Sequence, residues 1–184
     1  MKTSCLVACA FLASWSCHVV AGPVPKWISG DTQAREKPAP ILERTFTLDV
    51  EPKCAIFEIA VAGWCEVQVN GAKAGEDVLS PVTCQPDRRL SRIRLDVTKL
   101  LRKGENRIGV LLGNGWFNTF TLCSWHFADG IWLAAPQIRG SLVCDGRTVL
   151  VTDGQWRAYD SPIVFTALRN GEWYDARREG RRIN

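Results

Sequence analysis

From Thr45 onward, apolar side chains fall at every second position, and that period rules out most folds. Residues 45–50 (TFTLDV), 55–61 (AIFEIAV) and 65–69 (CEVQV) begin the pattern. Residues 92–97 (RIRLDV), 107–112 (RIGVLL), 137–143 (QIRGSLV) and 148–152 (TVLVT) continue it. Successive side chains of a strand point to opposite faces, so this alternation marks sheets with one buried face and one wetted face. Between the runs stand Asn70-Gly71, Asn114-Gly115, Asp129-Gly130, Asp145-Gly146, Asp153-Gly154 and Asn170-Gly171. Such pairs tolerate the positive φ of tight turns and predict hairpins. Only residues 96–104 (DVTKLLRKG) read as helical, for about one turn, with Asp96 or Thr98 as cap and Gly104 as stop. Many short strands, almost no helix and no fixed-period repeat predict an all-β fold, a β-sandwich or jelly roll with one short helical turn.

The ends have a different character. Lys2 precedes an apolar run at 5–15 that is too short to span a bilayer, and Val19 and Ala21 supply the small residues a signal peptidase favours. Residues 1–21 are therefore expected to be a signal peptide, which implies a secreted or periplasmic protein without a membrane span. Residues 22–42, with Pro23, Pro25, Pro38 and Pro40, read as an extended lead-in. The sandwich is expected over 43–178 and a tail over 179–184. A chain of 184 residues has room for one such domain. The net charge of +4 is spread out except for RREGRR at 177–182, so no basic stripe points to nucleic acid.

Without the leader, the chain keeps Cys54, Cys65, Cys84, Cys123 and Cys144, and His126 as its single histidine. No pair shows the CxxC spacing of a zinc site. Five is odd, so buried thiols with room for one disulfide are expected, and the pairing stays open.

Hydrolytic motifs are sparse. His126 is the one base available to a serine or cysteine nucleophile, and no G-x-S-x-G elbow is present. Cys123 lies three residues away, which on an extended chain points it to the opposite face. Residues 111–118 (LLGNGWFN) hold G-x-G without a following helix, which removes the physical basis for phosphate binding. The same turn, followed by Trp116 and Phe117, suits a sugar: a ring stacks on the C–H face while amides and carboxylates take the hydroxyls. Glu172 and Asp175 form a carboxylate pair, but residues three apart on a strand span about 10 Å and face opposite sides. Glycosidases need about 5–9.5 Å with both carboxyls flanking one bond. An ion pair from Arg177 to one of them is the expectation.

Four stretches, in order, carry a resemblance: 67–81 (VQVNGAKAGEDVLSP), 95–117 (LDVTKLLRKGENRIGVLLGNGWF), 151–163 (VTDGQWRAYDSPI) and 170–177 (NGEWYDAR). Together they resemble the N-terminal domain of bacterial α-L-rhamnosidases, over about residues 27–177. The resemblance implies a β-sandwich that helps recognise rhamnose-containing glycans, while hydrolysis belongs to an (α/α)₆ catalytic barrel whose acid and base have no counterpart in these 184 residues. The carbohydrate-binding residues it suggests are Trp116 as the stacking ring, with Asn114, Glu172, Tyr174, Asp175 and Arg177 around it. Related modules hold the sugar with calcium, and Asn114, Glu172 and Asp175 are the oxygen donors on offer, short of a six-ligand set. The leading expectation is thus a secreted carbohydrate-binding module, not catalytic alone. The alternatives are the front part of an active rhamnosidase packing on its catalytic domain, or a gene fragment without function.

Overall fold

The computed structural model describes residues 22–30, 39–121 and 126–180. The expected signal peptide and Cys123 lie outside the described residues. In chain order the strands are β1 (Ile28–Ser29), β2 (Pro40–Leu48), β3 (Ala55–Ala62), β4 (Trp64–Val69), β5 (Ala72–Ala74) and β6 (Ser91–Asp96). They continue with β7 (Gly104–Gly113), β8 (Gln137–Cys144), β9 (Arg147–Val151), β10 (Arg157–Asp160), β11 (Ile163–Ala167) and β12 (Gly171–Tyr174). Every run picked out by its alternation is a strand.

The strands form two five-stranded antiparallel sheets and a separate hairpin. In one sheet β3 pairs with β6 on one edge and β8 on the other, and the far edge of β8 carries β1 and β9. The second sheet runs β10-β2-β7-β4-β5. Phe57, Ile59, Val61, Ile138 and Leu142 from the first sheet and Leu42, Val67, Val69, Ile108, Val110 and Leu112 from the second are buried in one apolar core. Each such side chain contributes about 1.5–3 kcal/mol when taken from water. This is the arrangement of a β-sandwich, as the alternation requires.

The turns follow the Asx-Gly chemistry. Asn70 (φ 53°) and Gly71 (φ 87°) join β4 to β5, and Asp145 (φ 48°) and Gly146 (φ 78°) join β8 to β9. Both central residues lie at positive φ, the requirement of a two-residue hairpin with the right twist. The polar loops are closed by asparagines. Asn106 is buried; its Nδ2 donates to the carbonyls of Arg102 (2.7 Å) and Gly104 (3.0 Å), and its Oδ1 accepts from Arg102 N (3.0 Å) and Asn70 Nδ2 (2.9 Å). Trp156 is buried with its Nε1 donating to the Val151 carbonyl at 2.9 Å.

Three expectations change. The helical turn is a 3₁₀ turn, Thr98–Leu100, with Val97 at its N-cap and no side-chain cap. Asp96 instead accepts from Thr98 N (2.9 Å) and Thr98 Oγ1 (2.6 Å), and Gly104 (φ 92°) opens β7 rather than ending a helix. The lead-in is not all unpaired: β1 adds to β8, and β2 begins at Pro40, where a proline costs no ladder bond at a strand's first residue. The Asn114-Gly115 and Asp129-Gly130 pairs close loops rather than hairpins, with Asn118 N donating to Asn114 O at 3.1 Å and Gly130 N to Phe127 O at 3.1 Å, and Asp153-Gly154 carries the chain from β9 in the first sheet to β10 in the second.

Candidate functional site

The strand register decides which side chains the second sheet shows to solvent. Leu42, Val110 and Val67 lie abreast and point into the core. One residue along, Glu43, Gly109 and Gln68 lie abreast and point outward. Beyond them Ile41, Leu111 and Glu66 form the next outward row. Arg107 Nε sits 3.7 Å from Glu43 Oε2, and Lys73 Nζ sits 3.2 Å from Glu66 Oε2.

The β11–β12 hairpin roofs this face. Tyr174, together with Pro162 and Ile163, closes a groove of about 300 Å³ whose floor is the Glu43–Gly109–Gln68 row. A neighbouring cleft of about 250 Å³ shares Glu66, Leu111 and Ile163 with it and is walled by Glu172. Glu172 and Tyr174 alternate along β12 and hang over the cleft, while Trp173 points the other way. Its ring lies 4.8 Å from Phe165 with a 32° tilt, and Phe165 meets Phe120 edge-on at 5.9 Å. Trp173 nonetheless stays 64% exposed, a supported aromatic surface open to water.

The residues singled out in the sequence distribute as follows. Asn114 is buried, 6% exposed, with its Nδ2 donating to Thr166 O at 2.7 Å and its Oδ1 accepting from Asn118 Nδ2 at 2.9 Å. It ties the loop after β7 to β11. Thr166 in turn donates to Glu172 Oε1 at 3.4 Å, so the structure brings Asn114 and Glu172 to one hinge. Trp116 lies apart, half-buried against Phe127 at 5.2 Å, beside a crevice of about 20 Å³ that is large enough for one water and not for a sugar. Asp175 caps the 3₁₀ turn Ala176–Arg178 through Arg177 N and receives Arg177 Nε (2.8 Å) and Nη2 (3.0 Å). Arg177 thus holds the Asp175 carboxyl below its usual pKa, and the expected ion pair is present. Tyr174 Oη donates to Glu179 Oε1 at 2.7 Å, which raises the phenol above its usual pKa and keeps it neutral.

This geometry does not suit the calcium suggestion. Asp175 is spent on Arg177 and Asn114 on backbone and side-chain partners, and no group of three or more His, Cys, Asp or Glu is placed to hold a metal among the described residues. His126 is exposed, its Nδ1 3.6 Å from Asp129 Oδ2. No helix among the described residues is long and apolar enough to cross a membrane.

The orientation of Trp173 and the places of Gln68 and Gly109 in the groove are not legible in the sequence. Trp173 follows from the pleat of β12, once the hairpin is known. Gln68 and Gly109 require the register of β2, β7 and β4.

Comparison with known proteins places the fold. A family model described as the α-L-rhamnosidase N-terminal domain matches residues 51–184. An α-L-rhamnosidase of Formosa agariphila is 31% identical over 140 residues, covering 72% of this chain and 14% of that protein. Native α-L-rhamnosidase from Aspergillus terreus superposes with a TM-score of 0.71 and 27% identity, over 84% of this chain and 18% of that one. Streptomyces avermitilis α-L-rhamnosidase complexed with L-rhamnose superposes at 0.66 with 27% identity, over 78% of this chain and 14% of that one. The chain therefore spans a small part of the length of the relatives it matches. On these matches, the chain belongs to the α-L-rhamnosidase N-terminal domain family.

Proposed function

We propose that this chain is the glycan-recognising accessory domain of a secreted α-L-rhamnosidase-type glycoside hydrolase, with hydrolysis assigned to a catalytic domain on which it packs. The observation that carries this reading is the β11–β12 hairpin, which sets the ring of Tyr174 and the carboxylate of Glu172 over neighbouring open clefts and leaves Trp173 exposed on its other face. Aromatic faces take the apolar side of a pyranose, and carboxylates take its hydroxyls. Glu172 and Tyr174 are assigned to ligand contact, and Trp116, apart from the clefts, to packing against Phe127. Asn114, Asp175 and Arg177 act by holding the loops that carry them. The L-rhamnose named with the Streptomyces avermitilis relative makes a rhamnose-containing glycan the first ligand to try.

The test is tryptophan fluorescence during titration with L-rhamnose, with and without calcium. A saturable change supports the reading, and a flat signal up to tens of millimolar sugar contradicts it. The packing role has its own support in the β5–β6 loop, where Val78, Leu79 and Val82 are all exposed. An apolar patch of this kind on a lone domain favours association. Replacing Val78 and Val82 with serine should raise soluble yield while leaving the melting temperature unchanged; unaltered yield counts against an interface there.

A further inference from the structure

We propose that the notch over Gly109, on the outer face of the second sheet, is a subsite for a neutral pyranose. The proposal rests on the glycan reading above and moves its centre from the hairpin tip to the floor beneath it.

Gly109 sits in mid-strand, where glycine is unfavourable because it loses the most chain entropy and brings no side chain to the sheet. The usual reasons for tolerating it are absent. Its φ is not positive, and a Cβ built there would meet only Ile41 Cγ2, at an ordinary 3.9 Å. Gly140 in β8 is the contrast: a Cβ there would come within 2.1 Å of the Glu58 carbonyl, so packing demands that glycine. What the missing side chain at 109 provides is space on the groove floor, beneath Tyr174.

The rim of that space has the chemistry of a sugar site. Glu43 and Gln68 flank Gly109 from the two neighbouring strands, so a carboxylate and an amide face each other across the gap. Arg107 adds a guanidinium beside Glu43. Between them these groups both donate to and accept from hydroxyls, as a polyol demands. Glu43 and Glu66 are each paired with a cation, so the floor carries no excess charge to attract an anion such as a uronate. The adjoining Ile41–Leu111 pair offers an apolar shelf for an exocyclic methyl group, the feature of a 6-deoxyhexose. The groove's volume of about 300 Å³ accommodates one such ring.

Calorimetric titration of methyl α-L-rhamnopyranoside into the whole chain and its Gly109→Leu variant tests this. The leucine points into open space, so the variant should melt at or above the wild-type temperature yet lose at least tenfold in affinity. Galacturonate should bind at least tenfold more weakly than the neutral glycoside. If Gly109→Leu fails to fold, Gln68→Ala, an exposed polar position, should lower affinity at least fivefold. Wild-type binding with unchanged affinity in the folded variants overturns the notch and leaves the glycan reading standing. Tighter binding of galacturonate overturns the neutral class. No binding of the glycoside by the wild type overturns both.

Discussion

Asn106→Ala, near the start of β7, should destabilise this domain strongly. The side chain is 1% exposed and makes four hydrogen bonds, to Arg102 O, Gly104 O, Arg102 N and Asn70 Nδ2. It thereby closes the turn that leads from Thr98–Leu100 into β7 and joins it to the β4–β5 hairpin. Alanine leaves all four partners without it. The partners are only part-buried and regain water, so each lost bond costs its net worth of about 1 kcal/mol and the sum is about 4 kcal/mol. For a domain of this size about 1 kcal/mol shifts the melting temperature by roughly 2–4 °C, which gives a fall of about 8–16 °C. Asn106→Asp sharpens the test. It keeps the acceptor for Arg102 N but sets a carboxylate oxygen against two carbonyls, which raises its pKa in the folded state. The Asp variant should therefore recover relative to wild type as pH falls and its carboxyl becomes a donor. Thermal melts followed by circular dichroism between pH 5 and pH 8 measure both. A fall of less than about 3 °C for Asn106→Ala would refute the reasoning, because the network would then be worth under about 1 kcal/mol.

Gly140→Ala should cost about 3 kcal/mol or more, since its Cβ would sit 2.1 Å from Glu58 O in the centre of the first sheet; an unchanged denaturant midpoint contradicts the close approach. Burial pushes the Cys65 thiol up to about 12, while Cys54 is exposed, so a thiol reagent at pH 8 should label Cys54 quickly and Cys65 only on unfolding. Peptide mass mapping reads the order, and fast labelling of Cys65 refutes its burial. The Asp96 carboxyl is held below its usual 3.8 by Thr98, so its contribution is present above the unfolded value and lost as pH falls through the lower folded one. Asp96→Asn should accordingly flatten the acid end of the stability curve, and an unaltered curve shows that the carboxylate adds nothing.

The sheets were readable because alternation is strong in runs of five residues or more. β3, β4, β7 and β8 match their apolar period almost residue for residue. The short strands β5, β10 and β12 hold three or four residues, too few to set a period, and only the Asn170-Gly171 turn betrayed the last hairpin. The cluster at 170–177 was visible as chemistry but not as geometry. The pleat of β12 turns Glu172 and Tyr174 to the cleft and Trp173 to Phe165, while Asp175 and Arg177 consume each other. Asn114 stood out as a loop residue beside an aromatic, yet its partner is Thr166, 52 residues away, and a contact across that distance leaves no local trace. Gly109 drew no attention either, because its meaning depends on Glu43 and Gln68 being its cross-strand neighbours.

The most direct test of the account is calorimetric titration of L-rhamnose into the folded, unmodified chain. Saturable heat from one site, reproduced by the methyl α-glycoside, is the predicted result. The absence of heat with either sugar at tens of millimolar, from protein shown by its cooperative melt to be folded, would contradict glycan recognition by this domain.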